Sequence, residues 1–180
     1  SNVDDVAAEV ILSSQAKAIA DKFWPGPLSL ILPRRPECRI SLLASAGLES
    51  LAVRIPDHSS ARKLIKLSKL PIAAPSANLS NHVSATSAEH VFDELHGRIS
   101  AVINSGKSNI GIESTVLDLS TDSPTILRPG KITAEQLQNI IGPIRQSPVK
   151  NNNVINLSNS DHKAANKSPG LIERHYAPKL

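Results

Sequence analysis

Proline sets the grain of this chain. Several of its thirteen prolines stand where a short apolar run ends. Pro33 closes Leu28 to Leu32, Pro56 follows Leu51 to Ile55, Pro75 stops Ile72 to Ala74, and Pro129 follows Thr125 to Leu127 and Arg128. A proline cannot donate to a sheet ladder and biases the residue before it away from the helix, so each run is confined to a short strand. Further short strands are expected at Ala101 to Ile103 and in the β-branched run that ends at Leu119. Between these runs the apolar spacing turns helical. Residues 4 to 23 place Ala16, Ile19, Ala20 and Phe23 in step, with a break near Ser13-Ser14, and Trp24-Pro25-Gly26-Pro27 ends the segment sharply. A second helix is expected from Pro56-Asp57 to about Lys69, with Ala61, Leu64, Ile65 and Leu67 inward. A third runs from a capping box at Thr86 and Glu89 through Ala88, Val91, Phe92 and Leu95 to Gly97. Thr133 and Gln136 cap a last helix that Gly142-Pro143 closes. Strands alternating with helices predict one α/β domain around a mixed, twisted sheet.

Composition narrows the function classes. With 180 residues, 40% hydrophobic and 20% charged, the chain is long enough for a real core, and only 2% of it is aromatic. The core is therefore aliphatic, and the composition disfavours base-stacking platforms of the single-strand-binding kind. A net charge of +4 permits a nucleotide or RNA partner, although the outward Arg62, Lys63, Lys66 and Lys69 read most simply as a solvated face. The single cysteine, Cys38, excludes an internal disulfide and a cysteine-rich zinc site. No apolar run approaches the length of a membrane span, and the start, Ser-Asn-Val-Asp-Asp, has none of the regions of a signal peptide, so a cytoplasmic location is expected. The absence of any methionine suggests a fragment or a processed product.

Polar groups collect at the strand ends. Leu51, Val53 and Ile55 share one face, so Arg54 points the other way, framed by Ala52, as an arginine that grips a carboxylate or phosphate would. After Pro75 comes a loop of short hydrogen-bonding residues, Ser76, Asn78, Ser80, Asn81 and Ser84, before a helix start. Ser114 and Thr115 stand at the mouth of a strand and point to opposite faces, and Arg128 ends another strand before Gly130, where a turn conformation is expected. His90 and His96 read as surface histidines. Asn104-Ser105-Gly106-Lys107-Ser108 resembles the tail of a phosphate loop, but the glycine a Walker motif needs five residues before Gly106 is missing. Convergence of these strand ends would give a cleft with two arginines and several hydroxyls, suited to an anionic ligand and without a nucleophile–base pair. From Ile144 to Ser168 the composition changes to Asn, Ser and Lys, read as a linker that ends in Arg174-His175-Tyr176.

Five motifs in order carry a resemblance. Lys-Phe-Trp-Pro-Gly-Pro-Leu-Ser (22–29), Leu-Ala-Val-Arg-Ile-Pro (51–56), Ala-Pro-Ser-Ala-Asn-Leu-Ser (74–80), Gly-Ile-Glu-Ser-Thr-Val (111–116) and Leu-Arg-Pro-Gly (127–130) resemble the series of the YrdC-like threonylcarbamoyl-AMP synthases. The closing Ser-Pro-Gly and Arg-His-Tyr-Ala-Pro (168–178) is similar to the linker of the long, two-domain members. The resemblance implies a YrdC-like twisted mixed sheet with helices around a concave basic cleft. It further implies a nucleotidyltransferase that condenses L-threonine, bicarbonate and ATP into threonylcarbamoyl-AMP and pyrophosphate, with Mg²⁺ carried in by ATP. The product feeds the tRNA threonylcarbamoyl-transfer machinery. On matching positions, Arg54, Ala74 (through its backbone) and Ser114 would hold L-threonine. Ser50, Ser76, Ser84 and Arg128 would contact ATP, and Tyr176 or His175 would close over the nucleotide. No protein residue is assigned as nucleophile, because the carbamate oxygen itself attacks the α-phosphate.

Residues 1–143 would then form the synthase domain and 144–180 a linker towards an absent C-terminal domain. The family's Thr-Glu-Thr-x-Tyr-Gly-Leu strand and its Lys/Arg-rich segment have no match, so the chain resembles a piece cut at both ends, and weak or no synthase activity is expected of it alone. Asn81 stands where the family usually has glycine, a change the loop is expected to survive. The alternative is a double-stranded RNA or tRNA-binding module without catalysis, and a third reading, the carbamoyl-transferring domain of hydrogenase maturation proteins, lacks its cysteine-rich zinc motifs here.

Overall fold

Three of the proline-bounded runs join two further strands in a five-stranded mixed sheet, in the spatial order β2 (Ser50–Val53), β1 (Leu28–Pro33), β3 (Thr115–Asp118), β4 (Thr125–Arg128) and β5 (Arg145–Gln146). The computed structural model describes residues 2–80 and 82–147. β1 (Leu28–Pro33) pairs antiparallel with β2 (Ser50–Val53) and parallel with β3 (Thr115–Asp118). β4 (Thr125–Arg128) runs antiparallel to β3, and β5 (Arg145–Gln146) parallel to β4. This is the mixed α/β sheet that strand-and-helix alternation predicts. The central strands are aliphatic and buried: Leu28, Leu30, Ile31, Leu32, Val116 and Leu117 are almost wholly removed from water, which is the main stabilising contribution of such a core.

The break expected near Ser13-Ser14 is real. α1 (Val3–Ala7) carries an Asn2–Asp5 capping box, and α2 (Ser14–Phe23) starts at Ser13, whose hydroxyl accepts from the Ala16 N–H at 3.1 Å. Ala16, Ile19 and Ala20 bury one face of α2, which packs beside α5 (Ala134–Ile141) under the sheet. The predicted Thr133–Gln136 capping box forms at the start of α5, and Gly142 ends it with a φ of 81°.

The turn after α2 fixes where the sheet begins. Trp24 donates its indole N–H to the Leu28 carbonyl at 2.7 Å, and the Gly26 N–H reaches the Ile55 carbonyl at 2.9 Å. A Cβ on Gly26 would meet the Phe23 carbonyl oxygen at 2.1 Å, so the close approach itself demands glycine.

Several expectations fail, and they fail together. Ile72 to Ala74 and Ala101 to Ile103 form no strand, and Ile72, Val102 and Ile103 are exposed. Neither run lies beside a partner strand among the described residues, and Pro71 and Pro75 strip donors from both ends of the first. Three unpaired residues gain too few ladder bonds to hold. The second helix, α3 (Ser59–Ser68), starts later than Pro56-Asp57 and buries no residue. Leu64 and Leu67, expected inward, stay exposed, Leu67 at 70%. An apolar stripe states which face could pack, not that a surface lies opposite. On α4 (Ala88–Leu95) the N-cap is Ser87 rather than Thr86, and Phe92 is 61% exposed with its ring stacked on His96. Ile144, the expected start of the linker, is buried in the core, and the Ser147 N–H continues the pairing to Ile126.

Candidate anion-binding cleft

The sheet register gathers the site. Val53 pairs with Leu30, and Val116 pairs with Arg128 on its other side, so Arg54 and Arg128 reach the same end of the sheet across the first residues of β1 and β3. Arg54 follows β2 and stands on the exposed face, as the alternation predicts. Its Nε donates to the Gly26 carbonyl at 3.0 Å, so the Trp-Pro-Gly-Pro turn orients it. Although the residue as a whole is exposed, partial desolvation of the Arg54 guanidinium against the turn lowers its pKa, the neighbouring charge of Arg128 pushes the same way, and Glu113 opposes both. Two cations and one carboxylate therefore share a single electrostatic neighbourhood.

Ser114 stands at its centre. Its hydroxyl lies 3.0 Å from the Ser29 hydroxyl and accepts from Arg128 Nη2 at 3.0 Å, while Arg128 Nε donates to its carbonyl at 3.0 Å. Thr115 turns away, as expected: its Oγ1 donates to the Ile132 carbonyl at 2.8 Å and accepts from the Ile132 N–H at 3.1 Å. Glu113 completes the cluster, with Oε2 at 2.9 Å from Arg128 Nη1 and Oε1 accepting from the Ser84 hydroxyl. That last bond ties the loop after Pro75 to the strand ends. The loop is held from behind as well: the Glu94 carboxylate accepts from the Leu79 N–H at 2.8 Å and lies 3.1 Å from His82 Nδ1, and these bonds, the backbone one first, hold Glu94 below the usual carboxylate range.

Gly130 serves the cleft by close approach rather than by the turn conformation expected of it. It is not among the positive-φ glycines, but a Cβ there would lie 2.4 Å from the Thr115 nitrogen and 2.5 Å from the Glu113 oxygen.

Arg54, Ser84, Ser114 and Arg128 thus come together. Ala74 and Ser76 are exposed on the loop, in the stretch where the expected strand is not formed. Ser50 opens β2 opposite Pro33, at the far end of that strand from Arg54. His175 and Tyr176, like Asn81, lie outside the described residues. Sequence reading missed Ser29 and Glu113. A counter-ion was the findable one: two arginines converging at strand ends call for a carboxylate, and Glu113 precedes Ser114 directly. The described residues hold no group of three His, Cys, Asp or Glu side chains placed for a metal, and no helix among them is long and apolar enough to cross a membrane.

The Sua5/YciO/YrdC family model, described as telomere recombination, matches residues 1–130. The chain belongs to this family. It is 48% identical over 164 residues to the threonylcarbamoyl-AMP synthase of Bacillus subtilis, a match covering 91% of this chain and 44% of that protein. To the synthase of Pyrococcus abyssi it is 42% identical over 167 residues, 93% of this chain and 46% of the relative. The chain thus spans less than half the length of these curated relatives. A crystal structure of P. abyssi Sua5 complexed with L-threonine superposes with a TM-score of 0.86 at 39% identity, over 99% of this chain and 50% of that one. E. coli YciO, 18% identical with a TM-score of 0.63, shares the fold.

Proposed function

We propose that the cleft binds L-threonine and ATP, and that the protein to which this chain belongs is an L-threonylcarbamoyladenylate synthase. The observation that carries this reading is the convergence of Arg54 and Arg128 at one end of the sheet, with Arg128 bound to the Ser114 hydroxyl and the Ser84 loop tied in through Glu113. The names of the relatives, and the L-threonine in the P. abyssi structure, support it.

In this reading Arg54 grips the threonine carboxylate, with Ser114 and the backbone around Ala74 beside it. The threonine amine and bicarbonate combine to a carbamate with loss of water. A carbamate oxygen then forms the bond to the α-phosphorus as the bond to pyrophosphate breaks. Arg128 meets the charge that builds on the phosphates, with the Ser76 and Ser84 hydroxyls on phosphate or ribose oxygens, Ser50 further along, and His175 and Tyr176 closing from the tail. Positioning and charge neutralisation supply the catalysis, so no protein nucleophile is required. Mg²⁺ would be held through the ATP phosphates, where it neutralises charge, a mode of binding that needs no all-protein cage. The product would be consumed by the machinery that modifies an adenosine beside the anticodon of tRNA. The RNA-binding alternative rests on the charge of +4 and the basic surface that the resemblance implies, and no observation at the cleft favours it.

Thermal unfolding with ATP, with and without L-threonine, tests the reading on the wild type and an Arg54→Ala variant. The wild type should show a threonine-dependent rise, and the variant should lose that part while keeping the rise due to ATP. A full threonine-dependent rise in Arg54→Ala, or none in the wild type, overturns it.

A further inference from the structure

Glu113 is the charged group of the cleft to which the proposed chemistry gives no substrate. Its two oxygens are spent separately, Oε1 on the Ser84 hydroxyl and Oε2 on Arg128 Nη1. Arg128 has its remaining two nitrogens on Ser114, Nε on the carbonyl and Nη2 on the hydroxyl, and its side chain is only 12% exposed. Each nitrogen of the guanidinium is therefore engaged. Two of the contacts are to neutral groups and fix the stem. The third is to a carboxylate, which carries the charge sign of the expected ligand. A phosphate that is to share two parallel N–H bonds with Arg128 needs the edge that Glu113 fills.

The carboxylate also explains how the cleft tolerates two guanidinium groups. Arg54 feels the charge of Arg128 as a repulsion and that of Glu113 as an offset. We infer that Glu113 is a built-in stand-in for the anionic ligand, neutralising Arg128 and releasing it when a phosphate group arrives. It is a positioning residue that acts through Arg128 and Ser84. Because one carboxylate holds both, a single displacement frees a cation and a hydroxyl together, and both become available to the incoming phosphate. The inference rests on the reading of the cleft as a phosphate site.

Calorimetric titration with inorganic pyrophosphate at low ionic strength tests it on the wild-type chain and on Glu113→Gln, which keeps the shape and removes the charge. The variant should bind about fivefold to tenfold more tightly, the loss of one charge-assisted competitor. In an Arg128→Gln background the same change should have no effect, which separates a specific stand-in from a general rise in positive potential. Equal or weaker binding by Glu113→Gln, or equal tightening without Arg128, overturns the inference. Should Glu113→Gln not fold, the wild type gives a second measurement by NMR. Pyrophosphate should move the Arg128 Nε–H and Ser84 amide signals with one midpoint, and movement of Arg128 with Ser84 unchanged overturns the inference. If the wild type binds neither pyrophosphate nor ATP, the phosphate-site reading falls and takes this inference with it. If pyrophosphate behaves as described while threonine has no effect, the stand-in survives and the synthase reading fails.

Discussion

Replacing Gly130 by alanine strains the cleft at its tightest seam. The added Cβ would sit 2.4 Å from the Thr115 nitrogen, 2.5 Å from the Glu113 oxygen and 2.8 Å from the Ser114 carbonyl carbon. All three are backbone atoms, so no side-chain rotation relieves the overlap. Ordinary contact begins at 3.4 Å, and 3.4 − 2.4 leaves 1.0 Å of separation to be found. β3 cannot yield it cheaply, because it is paired on both sides and Thr115 is 1% exposed with its N–H bound to the Pro27 carbonyl. The movement falls on the turn that follows Arg128, which stretches the Arg128–Ser114 bonds. Overpacking of this kind costs about 1–3 kcal/mol, or roughly 3–10 °C in midpoint for a chain of this size. Displacement by about 1 Å also spoils the geometry that Arg128 offers a ligand, so pyrophosphate binding should weaken. Differential scanning calorimetry and pyrophosphate titration of Gly130→Ala read both effects. A midpoint within about 1 °C of wild type together with unchanged binding would refute the reasoning, because the close approach would then carry no energy.

Two further outcomes follow from buried polar groups outside the charged cluster. Thr115→Val keeps the volume but leaves the Ile132 N–H and carbonyl without the Oγ1 that serves both, and should cost about 1–3 kcal/mol in urea unfolding, against near-neutrality if those bonds are idle. Glu9, nearly buried, accepts from the Arg39 backbone and guanidinium. Burial alone would raise its pKa, but those bonds together hold it below the ordinary 4.5. A lowered folded-state pKa means stability that is present above the unfolded value and lost as pH falls through the folded one. Glu9→Gln should therefore be less stable than wild type at neutral pH, and the gap should close as the pH falls past the unfolded value and through the lower folded one. A gap that persists undiminished in acid would contradict the lowered pKa of Glu9.

Local chemistry was legible where it needed no distant partner. The Ser13 break, the Thr133–Gln136 box, the ends of β1 and the outward Arg54 follow from caps, prolines and alternation within a few residues. Ile72 to Ala74, Ala101 to Ile103 and the inner face of α3 were misread for one shared reason: their apolar patterns require a surface or strand opposite, and pattern alone cannot supply it. The cleft divides in the same way. Arg54, Ser114 and Arg128 announce themselves as strand-end polar groups. Glu113 acquires its role only through contact with Ser84, 29 positions away, and with Arg128. Ser29 joins Ser114 across 85 positions of sequence. Gly130 was recognised as necessary, but for the wrong cause, because a steric seam with β3 is a tertiary fact.

Amide NMR mapping of the ligand sites addresses the central claim most directly. L-threonine added first, then ATP, should shift the signals of Gly26, Arg54, Glu113, Ser114 and Arg128, with Ser84 joining on ATP. The exposed face of α4 around Phe92 and the α5 helix should remain still. Shifts confined to the α4 face, or the absence of any shift at Arg54 and Ser114 at saturating threonine, would contradict the account.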